Sequence, residues 1–420
     1  MKIYISIFVV LILVIGGVFS YILSKSLGFE KTDIVWEKYL SSDTDGNGTI
    51  YILADRFHKS FIGSESAKEY LKKDHDWQSF PGNGNSPGKD VELYLIKYDT
   101  ASGNYEYHLL KKNFFAYDGK IKLHGSELFV FWVQQEKRMA DYSWQGDYYI
   151  RYGKLDGNYS LMYLGDLDTI PLRETHKPGD IVFGHEAYIT SVEFFPGTST
   201  ILVGGGFTFF LINGTTHTKF TNYNVTRFWM GTNGHVHFLN LGKTDQYYEL
   251  GPDLKLISNY TITLDENYTG APIELNGTES FWFHTANPQL STFTFQFYCI
   301  PLLNGPMNIS GKNYTPFDTL QLKQTEQYSY FEVRSFDKML VIVKSPSDYM
   351  STEKTKQFWV YDSSKDFAQI KNGTLTFDDK IDIELIMVHG TGNDMVFLIQ
   401  EYRWKFPGSP SAINIQKITL

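Results

Sequence analysis

From about residue 31 onward the chain is written in short apolar runs that alternate with polar positions, four runs to a group. A tight turn follows the first and third runs of each group. Alternation at a period of two predicts strands, and Pro-Gly, Asn-Gly or Asp-Gly between runs predicts the turns that join them. The clearest group spans 188–223. There 189–195 alternate and stop at Pro196-Gly197, 200–203 and 207–212 follow, and Asn213-Gly214 opens a polar outer run. The next group repeats this with 226–230, a turn at Asn233-Gly234, 235–241, 246–250, Pro252-Asp253 and 254–261.

Similar groups are predicted elsewhere with longer connections. The first uses 34–40, 49–53, 91–98 and 105–110, and the second uses 121–123, 128–134, 148–154 and 159–164. Group five has 271–275, 280–284 and 293–300 with a loose outer edge, and group six has 330–336, 339–343, 357–361 and 367–377. Group seven has 381–388, 395–400 and 413–418 and then ends, so residues 27–31 are the candidate for its missing outer strand. Recurrence at this spacing predicts an all-β fold, a β-propeller of about seven four-stranded antiparallel blades. Ahead of it, residues 3–23 form one apolar segment, so the domains read as 1–23, a signal anchor or signal peptide, and 24–420, a single propeller with an insertion at 57–90.

The segment Ile189-Thr-Ser-Val-Glu-Phe-Phe-Pro-Gly, followed by a strand and Gly204-Gly-Gly, resembles a blade of the WD40 type and related propellers. The Trp-Asp endings and Gly-His openings of WD40 repeats are missing, so the resemblance implies the fold and no function.

In a four-stranded meander the first and third turns emerge on one face of the ring, and the other connections on the opposite face. The long connections sort to that second face: 57–90, 138–146, 167–186, 346–355 and 402–410. Long loops on a rigid scaffold are where binding concentrates. They carry Trp77, Phe80, Arg138, Tyr142, Trp144, Arg173, Arg403, Trp404 and Phe406, residue types enriched at the centres of interfaces. A row of aromatics folding down to cap the channel is the competing reading. Residues 64–73 have helical composition.

Composition adds compartment. Residues 3–23 are long enough, at about 1.5 Å per residue, to cross a bilayer. They predict entry to the secretory pathway as a single-pass membrane protein, or a secreted one if the segment is cleaved. Ten Asn-x-Ser/Thr triplets support that side: Asn47, Asn158, Asn213, Asn224, Asn259, Asn267, Asn276, Asn308, Asn313 and Asn372. Chance at this composition gives roughly three. Asn47, Asn213, Asn276 and Asn372 are also Asn-Gly-Thr, which reads as a hairpin turn. Asn47, Asn158, Asn213, Asn276 and Asn308 sort to the short-turn face, where a glycan would hinder docking, while Asn267 sorts to the other side. The net charge of -9 is interspersed, which gives no basic footprint for nucleic acid. Cys299 is the single cysteine, so no intrachain disulfide framework exists. Its alternation with Phe293, Phe295 and Phe297 predicts a buried strand thiol.

Candidate chemistry is sparse. Asp43-Thr-Asp45-Gly-Asn47-Gly places oxygens at positions one, three and five and Gly at six. It resembles the calcium hairpins of integrin-type propeller repeats, which implies a Ca2+ site at Asp43, Asp45 and Asn47. That family carries a further acid where Tyr51 stands. A polar turn and a glycosylated Asn47 remain as alternatives. His235 and His237 share a strand face, and packing is the expected role. His176, His185 and Glu186, in or beside the 167–186 loop, are the next candidates for a metal site, again with packing or exposure as the expected role, and Asp74, Asp76, Asp166 and Asp168 are acids within possible reach of a channel mouth. The function expected is a binding or interaction module for a protein or glycan partner, more a binder than an enzyme. Alternatives are a propeller enzyme, such as a calcium-assisted hydrolase or lactonase, and a structural or coat protein.

Overall fold

Apolar residues occupy both faces of each sheet, and that requirement decides the architecture. A computed structural model describes residues 36–57, 91–112, 118–138, 144–170, 188–205, 208–214, 216–220, 227–231, 233–240, 245–264, 268–275, 278–288, 292–301, 307–309, 314–323, 330–345, 355–376, 382–391, 394–402 and 411–420. They form seven antiparallel sheets arranged as the blades of a propeller.

Blade 1 contains β1 (Trp36–Thr44), β2 (Thr49–Phe57), β3 (Val91–Asp99) and β4 (Tyr105–Lys112). Blade 2 contains β5 (Asp118–His124), β6 (Glu127–Arg138), β7 (Trp144–Leu155) and β8 (Leu161–Ile170). Blade 3 contains β9 (Ile189–Phe194), β10 (Ile201–Gly205), β11 (Thr208–Asn213) and β12 (Thr216–Phe220). Blade 4 is built from β13 (Arg227–Met230), β14 (Val236–Asn240), β15 (Asp245–Leu250) and β16 (Leu256–Leu264). Blade 5 begins with β17 (Tyr268–Leu275), β18 (Thr278–Pro288) and β19 (Thr292–Pro301). The chain then lays β20 (Met307–Ile309) parallel to β16, as a fifth strand of blade 4, before β21 (Asp318–Lys323) completes blade 5. Blade 6 has β22 (Tyr330–Phe336), β23 (Met339–Ser345), β24 (Thr355–Asp362) and β25 (Ala368–Thr376). Blade 7 has β26 (Asp382–Thr391), β27 (Asp394–Tyr402) and β28 (Ser411–Thr419).

The core is seven wedges, one between each pair of neighbouring blades. In β23, Leu340 and Ile342 pack toward blade 5, whereas Val341 and Val343 pack toward blade 7. All four are fully inaccessible. The second strand of blade 2 behaves alike, with Val130 and Trp132 facing blade 1 and Phe131 and Val133 facing blade 3. Alternation along these strands therefore distributes side chains between two neighbours rather than between core and solvent. Each buried aliphatic or aromatic side chain contributes about 1.5–3 kcal/mol.

Closure of the ring is the same interaction once more. Ile50, Ile52, Ala54, Ile96 and Tyr98 of blade 1 meet Val396 and Leu398 of blade 7, with Ile413 and Ile415 of β28 packed against them. Backbone N–H groups of one blade also donate to side chains of the next. Ile121 N reaches Ser41 Oγ at 2.7 Å, Leu123 N reaches Asp43 Oδ2 at 2.7 Å, and Ile189 N reaches Asp118 Oδ2 at 2.7 Å. Tyr39 N donates to Gln400 Oε1 at 2.9 Å across the closing interface. The Tyr361 hydroxyl donates to Asp318, tying blade 6 to blade 5.

Most expected strands match those observed, and the departures have causes. Gly197 and Gly214 take positive φ of 69° and 61° at the turns assigned to them. Asn372-Gly373 does not turn: it lies inside β25, and a Cβ on Gly373 would stand 2.8 Å from the Phe358 ring. Glycine there admits a packed ring, not a reversal. The loose outer edge of blade 5 is β21, reached only after the detour through β20. The expected outer strand at 27–31, the apolar segment 3–23 and the helical stretch 64–73 lie outside the described residues. Among the described residues no helix is long and apolar enough to cross a membrane.

Removing packing at the closing wedge tests this picture. Leu398→Ala is expected to cost about 2–5 kcal/mol, since the cavity it leaves has blade 1 on its far side. Chemical denaturation monitored by tryptophan fluorescence measures it.

Candidate functional site

Strand order separates the two faces of the ring. First strands run toward the tight turns: 45–48 joins β1 to β2, 125–126 joins β5 to β6, and 337–338 joins β22 to β23. Third-to-fourth turns such as 100–104 and 156–160 emerge on that same face. From the opposite face leave the connections 58–90, 171–188, 346–354 and 403–410. One long connection departs on the short-turn side, the segment between β19 and β21 that supplies β20.

Of the residues proposed for the long-loop face, Arg138 and Trp144 are placed by described backbone. They end β6 and begin β7 and are directly paired, so they bracket the 139–143 connection at that face. Trp77, Phe80, Tyr142, Arg173, Arg403, Trp404 and Phe406 lie outside the described residues, as do Asp74, Asp76, His176, His185 and Glu186. Asp166 and Asp168 do not stand at a channel mouth. Both are on β8, the outer strand of blade 2, where Arg151 meets Asp166 at 2.7 Å and Lys219 of blade 3 meets Asp168 at 2.6 Å. An outer strand projects its side chains at the rim, which puts these acids out of reach of the axis.

The Asp43 loop uses its acids on backbone. Asp43 Oδ1 accepts from Thr44 N at 3.0 Å while Oδ2 takes the blade 2 hydrogen bond from Leu123. Asp45 Oδ1 accepts from Asn47 N and Thr49 N at 2.8 and 2.9 Å. Burial works to raise the Asp45 carboxyl, but those backbone donors outweigh it and hold the group below its ordinary value. The two carboxylates thus serve different tasks, one binding blades together and one closing the turn. Asn47 itself is exposed.

A polar cluster between blades 4 and 5 gathers more than the histidine spacing suggested. His235 Nδ1 lies 2.7 Å from Glu249 Oε1, and Ser258 Oγ donates to Glu249 Oε2 at 2.8 Å. His237 is buried with Nδ1 2.6 Å from the Tyr247 hydroxyl. Burial pushes the Glu249 carboxyl up, yet the His235 and Ser258 hydrogen bonds and the charge of His237 bring it below its usual range. Glu249 on β15 is paired directly with His237, and Ser258 on β16 with Glu249; His235, just before β14, and His237 within it were the only sequence signal. Among the described residues no group of three or more His, Cys, Asp or Glu comes together in a way that could hold a metal.

Cys299 is half-buried beside the blade 5–6 wedge, and burial pushes its thiol up to about 12. His284 and His389 are held by burial down to about 4. His389 Nε2 lies 2.8 Å from Ser42 Oγ across the closing interface. Both histidines are neutral in the folded ring at neutral pH. Their folded values lie below the ordinary 6.5, so the unfolded chain binds more protons between about 4 and 6.5. Stability is therefore complete above pH 6.5 and declines as pH falls toward 4, by about 1.4 kcal/mol per pH unit for each group. Thermal unfolding between pH 7 and 4.5 is expected to show this slope, and His389→Gln is expected to make it shallower.

No protein-family model matches the chain, and no curated protein matches it in sequence. Solved structures with a similar overall course include the "putative 6-phosphogluconolactonase" of Bacteroides uniformis, at 13% identity over 84% of this chain and 99% of that one, TM-score 0.37. A eukaryotic initiation factor aligns at 9% identity over 78% of this chain and 87% of its own, TM-score 0.35. An acylaminoacyl peptidase in complex with Z-Gly-Gly-Phe-chloromethyl ketone aligns at 10% identity over 92% of this chain and 46% of its own, TM-score 0.28. At these scores none of them assigns an activity.

Proposed function

We propose that this chain is an extracytoplasmic, N-glycosylated propeller, held by residues 3–23 as a signal anchor, that binds a protein or glycan partner through its long-loop face. The observation that carries the reading is where the sequons fall. Asn47, Asn158, Asn213, Asn259 and Asn372 are all exposed. The first three sit at tight turns, and Asn259 and Asn372 lie on the outer strands β16 and β25. Asn308 is on β20, the outermost strand of blade 4. Acceptors on the rim and the short-turn face outnumber Asn224 and Asn267, which fall in the connections 221–226 and 265–267 on the opposite side, so the long-loop face has fewer of these bulky, hydrated groups. That face is also where the long connections depart, bracketed in blade 2 by Arg138 and Trp144.

Binding is favoured over hydrolysis by the positions of Asp166 and Asp168, which are held in ion pairs at the rim. The propeller ring supplies a rigid frame; recognition belongs to the loops it carries.

Endoglycosidase treatment of the chain made in its own secretory system is expected to lower its apparent mass. No shift would sink the compartment. Replacing Trp77, Trp144 and Trp404 together by Ala is expected to abolish capture of a surface partner in proximity labelling while leaving the melting temperature unchanged; undiminished capture would move the binding site to another face.

A further inference from the structure

The outer strand of a blade has one edge of backbone N–H and C=O groups outside its own ladder, a template on which another strand can pair. Most of these edges are guarded. In blade 4 the chain does this itself, by laying β20 along β16. β8 is interrupted by two register shifts against β7, which bend an edge away from pairing. Sequons stand at others: Asn259 and Asn372 lie on β16 and β25, and Asn158, Asn213 and Asn313 come shortly before β8, β12 and β21. Of the six fourth strands, β4 alone carries or follows none. Asn47, the sequon of blade 1, belongs to the β1–β2 turn on the inner half of the blade.

β4 is also a strand with an exposed apolar row. Tyr105 and Leu109 are 57% and 37% exposed, with Tyr107 between them on the same face. Tyr105 meets Tyr107 edge-on at 5.5 Å and Arg56 lies 4.1 Å over the Tyr107 ring, so the row is ordered in the single chain. Residues 105–109 pair with 98–94 of β3 without interruption, which keeps this stretch of edge regular. Among the described residues β3 is the only strand neighbour of β4. Glu106 and His108 alternate onto the other face. His108 Nε2 lies 3.4 Å from Glu106 Oε2 and is buried without a hydrogen-bond partner.

We infer that this edge pairs with the same edge of a second copy of the chain, antiparallel about a two-fold axis at Tyr107. The stretch is self-complementary in that register. Tyr105 stands opposite Leu109 of the second copy, Tyr107 opposite its own counterpart, and Glu106 opposite His108, each match made twice by symmetry. Apolar residues face apolar residues and an acid faces an imidazole. Lys111 and Lys112 fall beyond the paired stretch, so like charges do not meet. Moving the axis one residue, to His108, sets Tyr105 against Lys111 and Glu106 against Leu110 and loses both matches.

Direction has a consequence for the faces. Outer strands run from the short-turn face to the long-loop face, so antiparallel pairing turns the two long-loop faces in opposite directions and leaves both clear of the contact. This self-association goes beyond the partner binding proposed above. The sequon comparison rests on the glycosylation proposed there, whereas the self-complementarity of 105–109 does not.

Sedimentation of the full chain in density-matched detergent tests the contact. A five-residue edge is a small interface, so weak, reversible self-association is expected at concentrations up to about 100 μM. Monomer throughout would overturn the proposal. Tyr105→Glu with Leu109→Glu sets like charges opposite each other and is expected to weaken association about tenfold. Tyr105→Glu with Leu109→Lys sets opposite charges across the same pairs and is expected to restore it. The same effect from both double variants would overturn the register and the proposal with it. As a second readout, Tyr107→Cys with Cys299→Ser is expected to give a disulfide-linked dimer on mild oxidation, because Cα atoms directly opposite lie about 4.5–5.5 Å apart. Tyr163→Cys with Cys299→Ser, on the outer strand of blade 2, is expected to give none. No linked dimer through position 107, or as much through 163, would overturn the site. A chain that carries no glycan and still associates through position 107 would sink the compartment and spare the contact.

Discussion

An antiparallel sheet that is apolar on both faces cannot be stable alone, and everything else in this molecule follows from how that is resolved. Each blade shares both faces with neighbours, so every strand near the axis sends alternate side chains to different partners. A linear array solved this way would leave two bare faces at its ends. Bringing blade 7 onto blade 1 removes both. The ring is thus a consequence of packing, and the polar links from Asp43, Asp118, Ser41 and Gln400 set the registry of blades already brought together.

Function inherits from that arrangement. The wedges carry the stability, and connections on the long-loop face vary widely in length, from 206–207 in blade 3 to 58–90 in blade 1. The tight turns opposite are committed to joining strands, and they present exposed sequon asparagines. A face of tight turns and a face open to insertion thus divide the surface of the ring. Charged groups pair between or within blades, as Arg151 with Asp166, Lys122 with Glu193 and His235 with Glu249 illustrate.

The blade grammar was legible because turn chemistry and strand alternation are local. Residues 189–213 fold almost as their spacing predicts, with Gly197 and Gly214 in left-handed conformations at the assigned turns. What alternation could not reveal was the partner of each face, since the same period of two describes a strand facing solvent and one shared by two blades. β20 escaped notice because three residues carry no periodicity and their pairing is to another blade. Asn372-Gly373 reads as a turn in sequence and is a strand in the molecule, since the Phe358 ring that demands glycine comes from β24. Of the candidate site, Arg138 and Trp144 lie on described backbone, paired at the ends of β6 and β7. Asp166 and Asp168 were misjudged because a strand's place between axis and rim is a property of the sheet, not of the residue.

If shared faces are what stabilise the ring, no blade can unfold without exposing its neighbours, and the whole domain must melt as one unit. Differential scanning calorimetry under reversible conditions measures this directly through the ratio of calorimetric to van't Hoff enthalpy. The account predicts a ratio close to one. A ratio well above one, with blades melting in separate steps, would contradict it.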